Sequence, residues 1–141
     1  MRAFLCFALT GLAWGLAGCS ANDHRPNYVA PPLSDAEVAT ISGVKTLFAH
    51  FYVSDVDGAK VQDPAAPIYT QGSTVKVLPG ERQLTVFANA GGGRTTWTFI
   101  HTFLAGHHYL IGPSDKLGSM FGTDMAIKDK ESGTVVRAGR P

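Results

Sequence analysis

Thr95-Thr96-Trp97-Thr98-Phe99-Ile100-His101-Thr102-Phe103 is the stretch on which the fold turns. Successive side chains of an extended chain point to opposite faces. Trp97, Phe99, His101 and Phe103 therefore share one side, and Thr96, Thr98 and Thr102 the other. Upstream, Thr46–Val53 repeats the pattern: Leu47, Ala49, Phe51 and Val53 face one way, Phe48, His50 and Tyr52 the other. Val75 and Val77, then Leu84 and Val86, form apolar faces on either side of Leu78-Pro79-Gly80-Glu81. Proline followed by glycine at the centre of four residues is the order a type II turn prefers. Asp57-Gly58 signals a hairpin, because glycine takes a positive φ without steric cost. Asp63–Pro67, with two prolines, reads as a loop, and Gly91-Gly92-Gly93 as a further turn. Tyr109–Ile111 and Thr134–Val136 complete the set. About six to eight short strands, roughly 8–15 residues apart, predict an all-β chain: a single antiparallel β-sandwich. The domain is expected over residues 38–138, with a short tail at 139–141.

Composition agrees with that reading. The chain has 141 residues with 16 glycines and 8 prolines, which favour turns over long helices. A formal charge of +1 excludes the basic surface of a nucleic-acid binder. Two cysteines cannot build a disulfide-dense scaffold.

The amino-terminal stretch has a different character. Arg2 is followed by the uncharged, mostly apolar run Ala3–Ala17, which is too short for the ~20 helical residues that span a bilayer. A basic start, a short apolar run and small residues at its end are the parts of a secretory signal peptide. The alternative is a buried helix, disfavoured by the polar, proline-rich segment that follows. Leu16-Ala17-Gly18-Cys19 resembles the lipobox of bacterial lipoproteins. That resemblance implies a signal peptide over residues 1–18, with acylation of Cys19 as the new first residue. The covalent lipid on Cys19 is then the only cofactor expected. Cys6 leaves with the leader, so the mature chain keeps no free thiol. Ser20 at the sorting position implies the outer membrane, periplasmic side, over inner-membrane retention. Residues 19–37 read as lipidated cysteine plus tether. Within it, Ser20–Ser34 carries three prolines and too few apolar residues to offset ordering entropy, so an extended linker is expected. The alternative is a segment packed on the domain through Tyr28 and Leu33. Ser34-Asp35-Ala36-Glu37 could cap a single helical turn.

Four further segments carry a second resemblance: Val56-Asp57-Gly58; Val75-x-Val-Leu-Pro-Gly-Glu-x-Gln-Leu-x-Val86; Leu104-Ala-Gly-x-x-Tyr-Leu-Ile111; and Lys128-Asp-x-x-Ser-Gly-Thr-Val135. Their order is similar to the small PEGA-like or prealbumin-like β-sandwich domains of bacterial envelope lipoproteins, over residues 40–137. It implies an all-β Greek-key sandwich of prealbumin- or Ig-like type and brings no catalytic residue. Independently of the family, Tyr109 behind Gly106 has the placement of a tyrosine corner, in which the hydroxyl bonds to upstream backbone and fixes the turn.

Candidate chemistry is sparse. Of the histidines His24, His50, His101, His107 and His108, the last two are adjacent, and on a strand they point to opposite faces. His50 and His101 are the pair a metal would need to find together. Asp55-x-Asp57-Gly58 lacks the closing glutamate of a calcium loop, whose twelfth position is Ala66. Gly91–Arg94 leads into a strand-like run, whereas a phosphate cradle needs a helix N-terminus. Neither Gly-x-Ser-x-Gly nor Ser-x-x-Lys occurs. The loop Gly112–Thr123, with Met120 and Phe121 between glycines, is the candidate contact loop. The reading is a non-enzymatic envelope lipoprotein, held to the membrane by its lipid and serving an unidentified envelope protein or ligand as a binding or assembly module. A periplasmic metal- or small-ligand-binding protein, and a hydrolase or enzyme inhibitor, are the alternatives.

Overall fold

A computed structural model of the chain describes residues 26–45, 49–61, 73–90, 93–114 and 125–138. The leader with Leu16, Ala17, Gly18 and Cys19, together with His24, Leu47, Phe48, the Asp63–Pro67 loop, Gly91, Gly92, Met120, Phe121 and the tail, lie outside the described residues.

Ten strands follow one another among the described residues: β1 (Asn27–Tyr28), β2 (Ala39–Gly43), β3 (Ala49–Val56), β4 (Ala59–Val61), β5 (Thr74–Val77), β6 (Gly80–Ala90), β7 (Gly93–Phe103), β8 (His108–Pro113), β9 (Met125–Asp129) and β10 (Val135–Arg137). They form two five-stranded sheets, ordered β1-β4-β3-β6-β7 and β10-β9-β8-β2-β5, packed face to face as a β-sandwich. Among the described residues no helix is long and apolar enough to cross a membrane.

The alternation places the core. Trp97, Phe99 and Phe103 of β7 are buried beside Leu84 and Val86 of β6, whereas Ile100 is 65% exposed. From the other sheet come Ile41, Ile111 and Ile127, each at most 1% exposed. At about 25 cal/mol per Å² of apolar surface, such a seam is the main stabilising term. Within β3 the period breaks once. The register of β3 against β6 shifts between Val53 and Asp55, a bulge that lets Asp55 and Val56 both be buried.

Two pairings depart from the expected antiparallel order: β2 runs parallel to β8, and β1 parallel to β4. Both join segments distant in sequence, which carry no turn to announce them. The β1 pairing also corrects the expectation of a free linker. Tyr28 packs against the core, its hydroxyl donates to the Lys76 carbonyl (2.7 Å), and the Lys60 N–H donates to the Pro26 carbonyl (2.8 Å). One ring is enough apolar surface to hold a proline-rich strap when two sheet edges lie ready to receive it. Asp35 then meets Lys76 at 2.7 Å. At Ser34–Glu37 a single turn forms: the Glu37 carboxylate accepts from the Ser34 N–H (3.1 Å) and hydroxyl (2.6 Å), after which the chain enters β2.

Asp57 and Gly58 both take positive φ (50° and 78°), the geometry of a two-residue hairpin between β3 and β4. Gly80, after Pro79, sits at φ 110°. Asp57 reaches that second turn, accepting from Arg82 Nη1 (3.0 Å) and from the Gln83 N–H (2.9 Å).

Candidate functional site

The densest group of polar side chains gathers where the β7–β8 corner meets the β9–β10 hairpin. Gly106 takes φ 76° and its N–H donates to the Val38 carbonyl (2.8 Å), turning the chain sharply after Leu104. Tyr109, 1% exposed, accepts at its hydroxyl from the Leu104 N–H at 2.9 Å. Its ring stands edge-on to Phe103 and His101 and lies stacked on His107. The corner is thereby fixed from inside by aromatic packing and from outside by one hydrogen bond.

Asp129 closes the arrangement. It is only 6% exposed, and its two oxygens accept from the Ser132 hydroxyl (2.7 Å), His107 Nδ1 (2.9 Å) and the N–H groups of Glu131 (3.0 Å) and Ser132 (3.4 Å). Burial pushes its pKa upward, but the bonds from Ser132, His107 and the two backbone N–H groups outweigh it and hold the carboxyl well below the usual range. Two residues on, Glu131 accepts from the His108 N–H (2.7 Å) and from His108 Nδ1 (3.1 Å), and these bonds also lower its pKa. The adjacent histidines thus bond to the same hairpin instead of facing opposite ways. The reason is that His107 precedes β8 and lies in the turn, where the strand's alternation does not apply.

Ligand atoms of His107, Asp129 and Glu131 all lie within 4.8 Å of one another, so among the described residues these are the ones that could hold a metal ion. Each is already engaged: Asp129 by four donors, His107 by Asp129, and Glu131 by His108. An ion must displace those bonds. As built, the group is a clasp that ties the hairpin to the corner. The pair that a metal would have needed, His50 and His101, does not meet. His50 on β3 stands opposite Asn89 of β6 and His101 on β7 opposite Arg82 of β6, seven residues apart, or roughly 23 Å. His101 packs edge-on against Phe103 at 4.9 Å, and burial, opposed by the charge of Asp129, lowers its pKa. His50 Nε2 is buried with no hydrogen-bond partner among the described residues.

Sequence reasoning named the two corner histidines and missed Asp129 and Glu131 as their partners. A signal was present in Asp-x-x-Ser-Gly, since an Asp side chain that bonds backbone two or three residues on is the usual start of a tight turn.

The second feature is an edge. β7 is the last strand of its sheet and pairs with β6 along all eleven residues, from Gly93↔Ala90 to Phe103↔Gly80. Its other side carries no partner strand among the described residues. No protein-family model, no curated protein and no solved structure matches the chain.

Proposed function

We propose that this chain is a lipid-anchored lipoprotein of the bacterial outer membrane, facing the periplasm, whose β-sandwich is a non-enzymatic binding or assembly module. The observation that carries the reading is Leu16-Ala17-Gly18-Cys19 at the end of the uncharged run Ala3–Ala17. A thiol at that point is the nucleophile that takes up a diacylglyceryl group, and small residues before it admit the peptidase to the backbone. Each buried methylene is worth about 0.8 kcal/mol, and one chain alone holds only marginally; several chains on one cysteine make attachment effectively permanent. Removing the leader takes Arg2 from twelve basic residues, leaving eleven against eleven acidic. A neutral mature chain has no electrostatic means of gripping a membrane or nucleic acid, so the lipid does that work.

The strap supports a close seat at the bilayer. From Cys19 to Pro26 there are seven residues, a reach of at most about 25 Å, where a tether free through Ser34 would reach roughly 45 Å. The chain enters at the side where β1 meets β4 and Tyr28 bonds Lys76 of β5. Of the strands at the other ends of the two sheets, β10 has three residues, and β7, with eleven, is the long edge without a partner strand among the described residues.

Metabolic labelling with a fatty acid, followed by membrane fractionation, tests the anchor. The wild-type chain takes up label and stays with the outer membrane, and Cys19→Ala loses both. Persistent labelling of Cys19→Ala, or a native product whose mass retains residues 1–18, overturns the reading.

A further inference from the structure

We infer that β7 pairs antiparallel with β7 of a second copy of this chain, about a two-fold axis at Thr98, joining two five-stranded sheets into one. This goes beyond the anchoring proposed above and does not depend on it.

Unpaired strand edges are usually blunted by shortness, proline, lysine, bulges or a covering segment. The other edges here are blunted in those ways. The two-residue β1 with its strap covers β4, Tyr28 and Asp35 engage Lys76 on β5, and β10 has three residues. Among the described residues β7 has none of these devices. It is eleven residues long, its register with β6 is unbroken, and Gly-Arg-Thr-Thr-Trp-Thr-Phe-Ile-His-Thr-Phe contains neither proline nor lysine. Its outward N–H and C=O groups, which meet no partner strand among the described residues, form a row of donors and acceptors matching an equally long, equally straight strand.

The sequence of β7 is complementary to itself. With Thr98 on the axis, Thr98 faces its own copy, Thr96 faces Ile100, Trp97 faces Phe99 and Thr95 faces His101. Threonine pairs and aromatic pairs are favourable across antiparallel strands, and no like charges meet. The register also preserves the faces. Thr96, Thr98, Ile100 and Thr102, all solvent-exposed in one copy, continue one surface, while Trp97 and Phe99 continue the core side. A one-residue slip would put the two rings opposite surface side chains, Thr98 and Thr96 in one direction or Ile100 and Thr98 in the other. Closed two-fold symmetry uses both edges and leaves no open end for fibres.

The test uses the full chain in detergent, with mass measured by sedimentation and fold by circular dichroism. Wild type sediments as a dimer. Thr96→Lys with Ile100→Lys changes only exposed side chains but sets lysine against lysine at both symmetric pairs, so the dimer weakens at least about tenfold while the monomer stays folded. Thr96→Lys with Ile100→Asp sets lysine against aspartate at the same pairs and restores the dimer. Oxidation of Thr98→Cys crosslinks two copies above the wild-type background. Thr96→Cys does not, because its counterpart is displaced by about 13 Å along the strand, beyond disulfide reach. A monomeric wild type, equal dimerisation of both charge variants, or crosslinking of Thr98→Cys to a different protein overturns the pairing. The last result would assign the edge to a foreign strand.

Discussion

Replacing Asp129 with alanine removes the acceptor on which the corner and the hairpin both close. The carboxylate takes three bonds of 3.0 Å or less, from Ser132, His107 and the Glu131 N–H. Hydrogen bonds to a charged group contribute about 1.5–3 kcal/mol each. Not all of that is lost. Ser132 and Glu131 are exposed, so their donors return to water, and only His107, half-covered beneath the hairpin, is left short of a partner. A net loss of about 2–3 kcal/mol follows, which for a domain of this size lowers the melting temperature by roughly 10–15 °C. The pH dependence distinguishes a charge from a shape effect. Because the folded-state pKa of Asp129 lies below its unfolded value near 3.9, its contribution is complete above about pH 5 and declines as the pH falls through that value toward the folded one. Thermal unfolding of wild type and Asp129→Ala, followed by circular dichroism between pH 7 and 2, should show a gap that is widest near neutrality and narrows in acid. A gap below about 0.5 kcal/mol at pH 7, or one that grows in acid, refutes the clasp.

Other consequences are simpler to check. Tyr109→Phe deprives the Leu104 N–H of its acceptor and should cost about 1–1.5 kcal/mol in urea unfolding with the slope unchanged. Gly43→Ala would place a methyl 1.8 Å from the Phe51 carbonyl oxygen, so the chain should fail to fold or lose more than about 3 kcal/mol, seen as loss of soluble, sheet-rich protein. Burial sets the pKa of His101 below its ordinary value, so the unfolded chain takes up a proton first and stability falls as pH drops from about 7 to 5. His101→Phe should flatten that slope in melting curves. Saturating zinc should leave the melting temperature of wild type unchanged, since the corner's ligand atoms are already bonded. A rise of several degrees that His107→Ala abolishes would show that the ion displaces those bonds.

Much of the fold was legible because a strand's period of two is written directly in its side chains. Trp97, Phe99 and Phe103 are buried and Ile100 is exposed, as alternation requires. Turns with proline, glycine or Asp-Gly are legible for a similar reason, since their backbone angles admit few residues. Alternation does not reach past the end of a strand, so His107 and His108 were read as diverging when both bind one hairpin. Nor does it count bulges, which is how Asp55 came to be buried next to Val56.

The sequence by itself determined the all-β class and the position of the tight turns at Asp57-Gly58 and Pro79-Gly80, because each depends on residues near one another in the chain. Tertiary structure alone decided which strands became neighbours. The parallel pairing of β2 with β8, the docking of Tyr28 on Lys76 and the meeting of His107 with Asp129 join segments 22 to 68 residues apart, and among the described residues β7 is left as an edge. Contacts of that span depend on which apolar faces fit together once the chain collapses, and no local pattern of side chains encodes that fit.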